Sequence, residues 1–150
     1  MASDSIFSLQ IAKFVEKAKE NADLVVRAIA QELFGRIIAQ SPVGNPDLWK
    51  HPENAPPGYT GGRFKSNWLC SVGSIPAGTT LAIDVTGVTT RMEAEVLGAK
   101  AGDIIYLVNN LPYARKIEYG HSKQAPAGLV RLEIANFNST VDKAASEVPK

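Results

Sequence analysis

The stretch IFSLQIAKFVEKAKENADLVVRAIAQELFGRIIAQ, residues 6–40, contains one glycine and no proline. Its apolar residues return at steps of three and four, which is the spacing of one face of an α-helix. They are Phe7, Ile11, Phe14, Ala18, Ala22, Val25, Ile29 and Leu33. Ser41-Pro42 ends the pattern, because a residue that precedes proline is disfavoured in the α region. The pattern predicts a long N-terminal helix over residues 6–40.

The length of this helix raises a packing problem. At 1.5 Å per residue a helix over residues 6–40 extends about 52 Å, whereas a compact domain of this size has a radius of gyration of about 15 Å. Two solutions are open. Either the helix breaks near residues 20–23, or it overhangs its own domain and packs against a neighbour.

Residues 41–65 are rich in proline and glycine. Five prolines and four glycines occupy these 25 positions, which is about three times the usual density. No regular element is expected there. The segment nevertheless carries large apolar groups, which need a surface that covers them: Leu48, Trp49, Tyr59 and Phe64. We therefore expect an ordered arm, docked on its own domain or on a partner.

Short runs rich in Trp, Val, Ile and Thr after residue 65 indicate β-strands. Trp68, Cys70 and Val72 alternate with residues of the opposite face, which predicts one strand. Residues 80–86 are expected to be its hairpin partner. Residues 103–109, DIIYLVN, form the clearest strand pattern in the chain.

Three further helical segments are predicted. Residues 90–101 have a helix-favouring composition with Thr89 or Thr90 as the N-cap, and residues 113–119 form a helical turn that Gly120 closes. Residues 129–148 again show helical spacing.

The order of these elements indicates the fold class. No βαβ unit repeats, so the chain is α+β, an antiparallel β-sheet flanked by the long N-terminal helix and a C-terminal helix, with a long Pro/Gly-rich loop. Residues 1–150 are expected to form a single domain. It comprises the helix 6–40, the extended arm 41–65, and the sheet and helices 66–150.

The composition disfavours several classes of protein. With 45% hydrophobic and 21% charged residues, the 150-residue chain resembles one soluble domain. A net charge of +1 lacks the basic excess of a dedicated nucleic-acid binder. The apolar runs fall short of the roughly 18 residues that cross a bilayer. Residues 1–10 lack the pattern of a signal peptide, and the single Cys70 forms no internal disulfide, which favours the cytoplasm.

Few residues could support catalysis or bind a cofactor. The histidines, His51 and His121, and Cys70 are isolated from one another at no metal-ligand spacing. Neither a phosphate-binding loop nor a serine-nucleophile turn is present. No catalytic, cofactor-binding or metal residues are therefore expected. A Cys70–His121 nucleophile pair is conceivable, although a cysteine in a strand-like run is more often buried and inert.

Residues 109–131 combine two asparagines, two prolines, two glycines and five cations if His121 is counted. One interpretation is a solvated turn followed by the start of a helix. The other is a shaped surface whose cations pair with the carboxylates of a neighbour. An acidic stretch precedes it and would suit head-to-tail self-association. Its carboxylates are Asp84, Glu93, Glu95 and Asp103.

Five segments together resemble a known family. They are SPV at 41–43, TGGRFKSNW at 60–68, NNLPYA at 109–114, IEYGHS at 117–122 and QAPAG at 124–128. In this order they resemble the small tail-completion or neck proteins of tailed bacteriophages, which include minor tail components of the protein Z type. The most specific part is Tyr-Ala-x-x-Ile-Glu-x-Gly. Residues 44–59 are an insertion relative to that family's pattern.

The resemblance implies a structural virion protein without enzymatic activity. Such a subunit forms a homo-oligomeric ring at the head-tail junction, around the channel through which DNA leaves. Six copies would match the sixfold symmetry of a tail, and twelve are the alternative on the portal side. Its partners would be other neck, connector and tail-terminator proteins. The chain would be made in the bacterial cytoplasm and reside in the virion, with no membrane contact. A near-neutral charge suits a conduit, since tight binding would retard DNA.

The family motifs mark ten residues for the fold and for subunit packing. They are Thr60, Gly61, Arg63, Trp68, Tyr113, Glu118, Tyr119, Gly120, His121 and Pro126. On this interpretation Glu118→Lys, or deletion of residues 44–59, leaves a soluble chain that no longer joins heads to tails. The alternative is a monomeric binding module or a small hydrolase that uses Cys70 or His121. Cys70→Ala or His121→Ala would then abolish an activity.

Overall fold

A computed structural model of the chain describes the backbone of residues 2–149 and the side chains of residues 8–149. The first helix, α1, runs unbroken from Ala2 to Gln40 and has 39 residues, a length of about 58 Å. It begins four residues before the predicted start and ends directly before Ser41, as the Ser-Pro signal predicts. The helix does not break, so the overhang is the solution that the chain adopts.

The N-terminal half of α1 projects beyond the packed part of the domain. Every side chain from residue 8 to residue 20 is exposed. Asn21 Nδ2 donates a hydrogen bond to the carbonyl of Pro149 at 3.4 Å. Further along α1, Asp23 accepts from the backbone N–H of Ala101 at 2.7 Å, and Arg27 Nε donates to the carbonyl of Ala99 at 2.7 Å. Asp23 thus serves a tertiary contact, instead of the N-cap that a break in α1 would need.

The sheet has two antiparallel strands, β1 (Trp68–Val72) and β2 (Ile105–Asn109). Trp68 pairs with Asn109 and Val72 pairs with Ile105. Both strands were predicted, but the partner assigned to β1 was wrong. Residues 80–86 form no strand.

Side chains replace strand pairing along residues 80–84. The carboxamide of Asn67 accepts from the N–H of Thr80 at 2.8 Å and donates to its carbonyl at 3.0 Å. The Ser66 hydroxyl donates to the carbonyl of Asp84 at 2.6 Å. Ser66 and Asn67 are both buried. Because these two residues satisfy the backbone there, the segment needs no ladder with β1.

The helices after β1 differ in extent from the predicted ones. The third helix, α3, spans Val88–Leu97 with Gly87 as its N-cap, so neither Thr89 nor Thr90 caps it. The one-turn helix α2 (Arg63–Ser66) lies before β1 in the chain. After β2, the short helix α4 (Ala114–Glu118) matches the predicted turn.

The predicted helix over residues 129–148 is two helices. They are α5 (Val130–Ala135) and α6 (Phe137–Ser146). The side-chain amide of Asn136, between them, donates to the carbonyl of Leu132 at 3.2 Å. Asparagine competes in this way with the regular backbone pattern of a helix.

The arm contains regular turns that were not predicted. Single-turn 3-10 helices occur at Pro46–Leu48 and Pro52–Asn54. Each begins with proline, whose fixed φ suits a first helical position. Asn45 caps the first turn by accepting from the N–H of Asp47 at 3.0 Å.

One hydrophobic core joins these elements. The C-terminal part of α1 packs against α3, α5 and α6, and α3 also packs on β1. The buried core side chains are Ala30, Ile37, Ile38, Phe64, Trp68, Val88, Met92, Val96, Leu111, Ala125 and Leu129. The predicted α+β class, with an antiparallel sheet flanked by terminal helices, is confirmed.

Candidate functional site

A cleft of about 790 Å³ separates the arm from the loop that follows α4. We call it the arm cleft and define it by arm residues 42–64 on one wall and residues 113–124 on the other. Trp49 and Tyr59 belong to the arm wall, and Tyr113 and Ile117 face them. Phe64 contributes from the core. The volume lies within the range of small-ligand and peptide pockets.

Polar and backbone contacts hold the two walls together. The amide of Gln124 makes two hydrogen bonds with the backbone of Val43, donating to its carbonyl at 2.8 Å and accepting from its N–H at 3.2 Å. Gly61 lies so close to Gly44 that a Cβ on Gly61 would collide with the Gly44 backbone. The arm wall is therefore preformed on its own domain.

Aromatic contacts stiffen both walls of the arm cleft. The rings of Trp49 and Tyr59 meet edge to face with their centroids 5.1 Å apart. Phe64 contacts Tyr113 at 6.3 Å and Trp68 at 5.8 Å. Such ring pairs add about 1 kcal/mol each beyond their buried area.

The lining of the arm cleft carries cations and no carboxylate. Its cations are Lys50, Arg63 and Lys123, and His121 also lines it, whereas the carboxylates within the two walls, Asp47, Glu53 and Glu118, are not part of the lining. Burial raises the pKa of Tyr113, and the nearby Arg63 opposes that rise. The phenol stays neutral at physiological pH, so the cleft has a positive rim around an aromatic interior.

A second cluster lies on the far side of α4, and we call it the Glu118 clasp. The Glu118 carboxylate accepts hydrogen bonds from three successive backbone N–H groups, those of Leu129, Val130 and Arg131, each at 2.9 Å. Arg131 Nη2 also donates to the Glu118 carbonyl at 2.6 Å. The clasp thus fixes α5 to the end of α4.

The bonding of Glu118 lowers its pKa. Burial alone raises the pKa of this carboxyl, but the N–H groups of Arg131, Val130 and Leu129 outweigh burial. Each N–H stabilises the charged form, so the carboxyl stays ionised well into acid.

Two glycines permit the close approach within the Glu118 clasp. Gly128 has a φ of +84°, and a Cβ there would lie 2.5 Å from the Glu118 carbonyl oxygen. Gly120 has a φ of +86°, and its Cβ would lie 2.7 Å from the Pro126 carbonyl oxygen. The guanidinium of Arg131 stacks over the ring of Tyr119, 4.6 Å from its centroid.

Nine of the ten motif residues divide between these two clusters. Thr60, Arg63, Tyr113 and His121 line the arm cleft, with Gly61 directly beside it. Four more motif residues belong to the Glu118 clasp: Glu118, Tyr119, Gly120 and Pro126. Trp68 belongs to neither wall, because it is buried in the core and its Nε1 donates to the Ser41 hydroxyl at 2.7 Å.

Two sequence interpretations need correction. One of the two interpretations of residues 109–131 paired Arg131 with the carboxylates of a neighbour, but Arg131 pairs with Glu118 of its own chain at 3.3 Å. Glu118→Lys would therefore disrupt the Glu118 clasp, so this variant does not report on subunit contacts alone. Sequence reasoning also missed Asn67, whose burial only the folded chain reveals, and Lys50. The one signal for Lys50 in the sequence was its position directly after Trp49, another residue of the cleft lining.

The residues of the catalytic alternative are not brought into one site. His121 lines the arm cleft, whereas Cys70 lies in β1 and packs against the core. Burial, with a smaller contribution from Glu95, raises the pKa of the Cys70 thiol to about 11. A thiol with that pKa is protonated at neutral pH and is a poor nucleophile.

The described residues contain neither a cluster of metal ligands nor a membrane-spanning helix. In the part of the chain that the structure describes, no three His, Cys, Asp or Glu side chains lie close enough to hold a metal ion. None of the helices in residues 2–149 has the length and apolar character that crossing a membrane requires.

Comparison with known proteins adds no relative. No protein-family model, curated protein or solved structure matches the chain.

Proposed function

We propose that the chain is a structural subunit that assembles through the overhanging half of α1. The observation that supports this is the exposure of apolar side chains in the N-terminal half of α1, as the described residues 8–149 show it. Leu9, Ile11, Phe14 and Val15 are exposed by 61%, 48%, 71% and 43%. Ile11, Phe14 and Val15 share one face of the helix, because Phe14 and Val15 follow Ile11 by three and four positions. An exposed apolar face of this kind is typical of a protein contact.

The physical argument concerns the stability of the overhang. A helical segment without tertiary packing is marginal in water, because most helix stability in proteins comes from packing of an apolar face. Burial of Phe14 against another subunit would contribute about 2 kcal/mol. Assembly would therefore stabilise both the contact and the helix that makes it.

The motif resemblance supplies the biological setting of the proposal. The subunit is a tail-completion or neck protein of a tailed bacteriophage, and its ring surrounds the DNA exit channel at the head-tail junction. Six copies form the ring, and unlike neck, connector and tail-terminator proteins bind above and below. The role needs no catalysis. A net charge of +1 suits passage of DNA without retention.

The test compares two substitutions in the overhang. Phe14→Glu places a charge at the apolar contact, and Gln10→Glu adds the same charge at an exposed polar position. At concentrations where the native chain is monomeric, we expect both variants to melt like it by circular dichroism. Only Phe14→Glu should lower the oligomer mass in light scattering and fail to complement a phage that lacks the gene. Native mass and full infectivity for Phe14→Glu would overturn the proposal.

A monomeric binding module is the second candidate, and the arm cleft is the observation that favours it. It predicts a monomer at every concentration tested. It also predicts a chain that retains its function when Phe14 is replaced by Glu.

A further inference from the structure

The arm cleft combines features that the fold itself does not require. Hydrogen bonds between Gln124 and the backbone of Val43 join its walls. The cations at its rim, Lys50, Arg63 and Lys123, make no ion pair with any carboxylate among the described residues. Elsewhere Arg36, Arg131 and Lys143 are paired.

The aromatic interior and the cationic rim indicate the chemistry of an occupant. Trp49, Tyr59 and Tyr113 offer rings to an apolar side chain, and none of the three is fully buried. A lining without carboxylates attracts negative charge and opposes a cationic ligand. The complementary ligand carries carboxylates next to an apolar or aromatic anchor.

We propose that the arm cleft binds an acidic peptide segment of another protein. Its carboxylates meet Lys50, Arg63 and Lys123, and its apolar side chain lies between the Trp49 and Tyr113 walls. This inference does not depend on the oligomeric role of α1, and it holds whether the chain is a ring subunit or a monomer.

A second copy of this chain is a poor source for the segment. The sequence contains one pair of carboxylates within two positions, Glu93 and Glu95. Both lie in α3, whose helical backbone is not an extended segment. The exposed carboxylates Glu16 and Glu20 lie on the half of α1 that the proposed assembly already uses, so we commit to an unlike partner as the source of the segment and make a second copy an outcome of the test.

A nucleic acid is also a poorer match than an acidic peptide. Binding a phosphate backbone depends on cations that follow the strand over many residues, and affinity scales with the number of phosphates neutralised. The arm cleft has three Lys and Arg side chains within one pocket, on a chain whose net charge is +1. Three cations in one pocket match the charge of a few carboxylates.

The experiment uses the full chain and an unbiased probe. A yeast-displayed library of random 12-residue peptides is sorted for binding to the labelled chain. We expect the enriched peptides to contain Asp or Glu beside Phe, Leu or Trp. Enrichment of basic or uncharged peptides, or no enrichment, would overturn the proposal.

Charge reversal locates the binding. The double variant Lys50→Glu with Lys123→Glu is compared with Lys19→Glu and Lys100→Glu, two exposed lysines outside the cleft. Both double variants change the net charge equally. An enriched peptide should bind the first variant at least about tenfold more weakly, equivalent to about 1.4 kcal/mol, and the second with native affinity. Equal losses in both would contradict a site in the cleft.

Fluorescence and competition separate the remaining outcomes. Peptide binding should change the emission of Trp49, and Trp49→Phe should remove that change while buried Trp68 remains.

A single-stranded thymidine 12-mer should not displace the peptide. Displacement by this oligonucleotide would indicate a nucleic-acid site. A fall in oligomer mass on reversal of Lys50 and Lys123 would indicate a second copy as the occupant, and either result overturns the proposal.

Discussion

At the residue scale, Glu118 shows how one side chain organises a loop. A single carboxylate satisfies three neighbouring backbone N–H groups at the start of α5. These groups have no helical partner, because the first N–H groups of any helix lack one. Glu118 therefore acts as a remote cap for α5, supplied from α4. The motif residue with the strongest resemblance thus has a structural role in its own chain.

The pH dependence of this cap can be predicted. Because the folded pKa of Glu118 is lowered, its contribution to stability is fully present above the unfolded pKa of about 4.3 and is lost as pH falls through the folded pKa. We expect Glu118→Gln to reduce the free energy of unfolding at pH 7 by about 2 kcal/mol.

The measurement is urea denaturation of the native chain and of Glu118→Gln between pH 7 and pH 3. The difference between the two chains should shrink as pH falls below about 4.3, since the native carboxylate then becomes protonated. Glu93→Gln, at an exposed position of α3, is the control. A difference that stayed constant with pH would show that the charge of Glu118 does not stabilise α5.

At the element scale, a buried carboxylate couples α1 to the C-terminal helices. Glu133 of α5 is only 2% exposed, and it accepts hydrogen bonds from Arg36 Nε at 2.7 Å and Gln40 Nε2 at 2.9 Å. Arg36 also donates to the Thr140 hydroxyl of α6. Arg36 of α1 therefore joins α1 to α5 and α6. Its removal would leave the buried Glu133 carboxylate with one hydrogen-bond partner fewer.

We expect Arg36→Ala to lower the free energy of unfolding by about 3 kcal/mol, because breaking a buried ion pair leaves an uncompensated charge. Lys143→Ala removes the more exposed pair with Glu32 and should cost less than about 1 kcal/mol. Thermal or urea unfolding of the two variants measures the contrast. Equal losses would mean that burial of Glu133 does not decide the strength of the contact.

At the scale of the whole molecule, the chain consists of a packed body and an unsupported helical extension. In the dilute monomer, the amides of residues 8–20 should exchange hydrogen far faster than those of residues 30–38, which lie in the buried part of α1. Hydrogen-exchange mass spectrometry measures both segments. If α1 mediates assembly, protection of residues 8–20 rises in the oligomer. Equal protection of both segments in the monomer would show that the overhang is stable without a partner.

Prediction from sequence succeeded where the signal is local. The end of α1 at Ser41-Pro42, the strand β1 and the turn of α4 follow from spacing, composition and proline chemistry within a few residues. The arm cleft was anticipated only as an ordered arm with large apolar groups. Its charge pattern could not be predicted, because Lys50 and Lys123 are 73 positions apart in the sequence and meet only in the fold.

The errors share one physical cause, competition between local preference and distant partners. Residues 80–86 have the composition of a strand, but buried Ser66 and Asn67 satisfy their backbone and leave β1 free to pair with β2. Arg131 has the character of a surface cation, but Glu118 lies within its reach.

The sequence by itself determined the α+β class, the long first helix and its end at Ser41-Pro42, because periodicity and the steric effects of proline act within short segments. Tertiary structure alone decided which strand pairs with β1, that α1 overhangs without breaking, and that Glu118 caps α5. These outcomes depend on which distant groups can bury apolar surface and satisfy each other's hydrogen bonds at once. No local pattern carries that information.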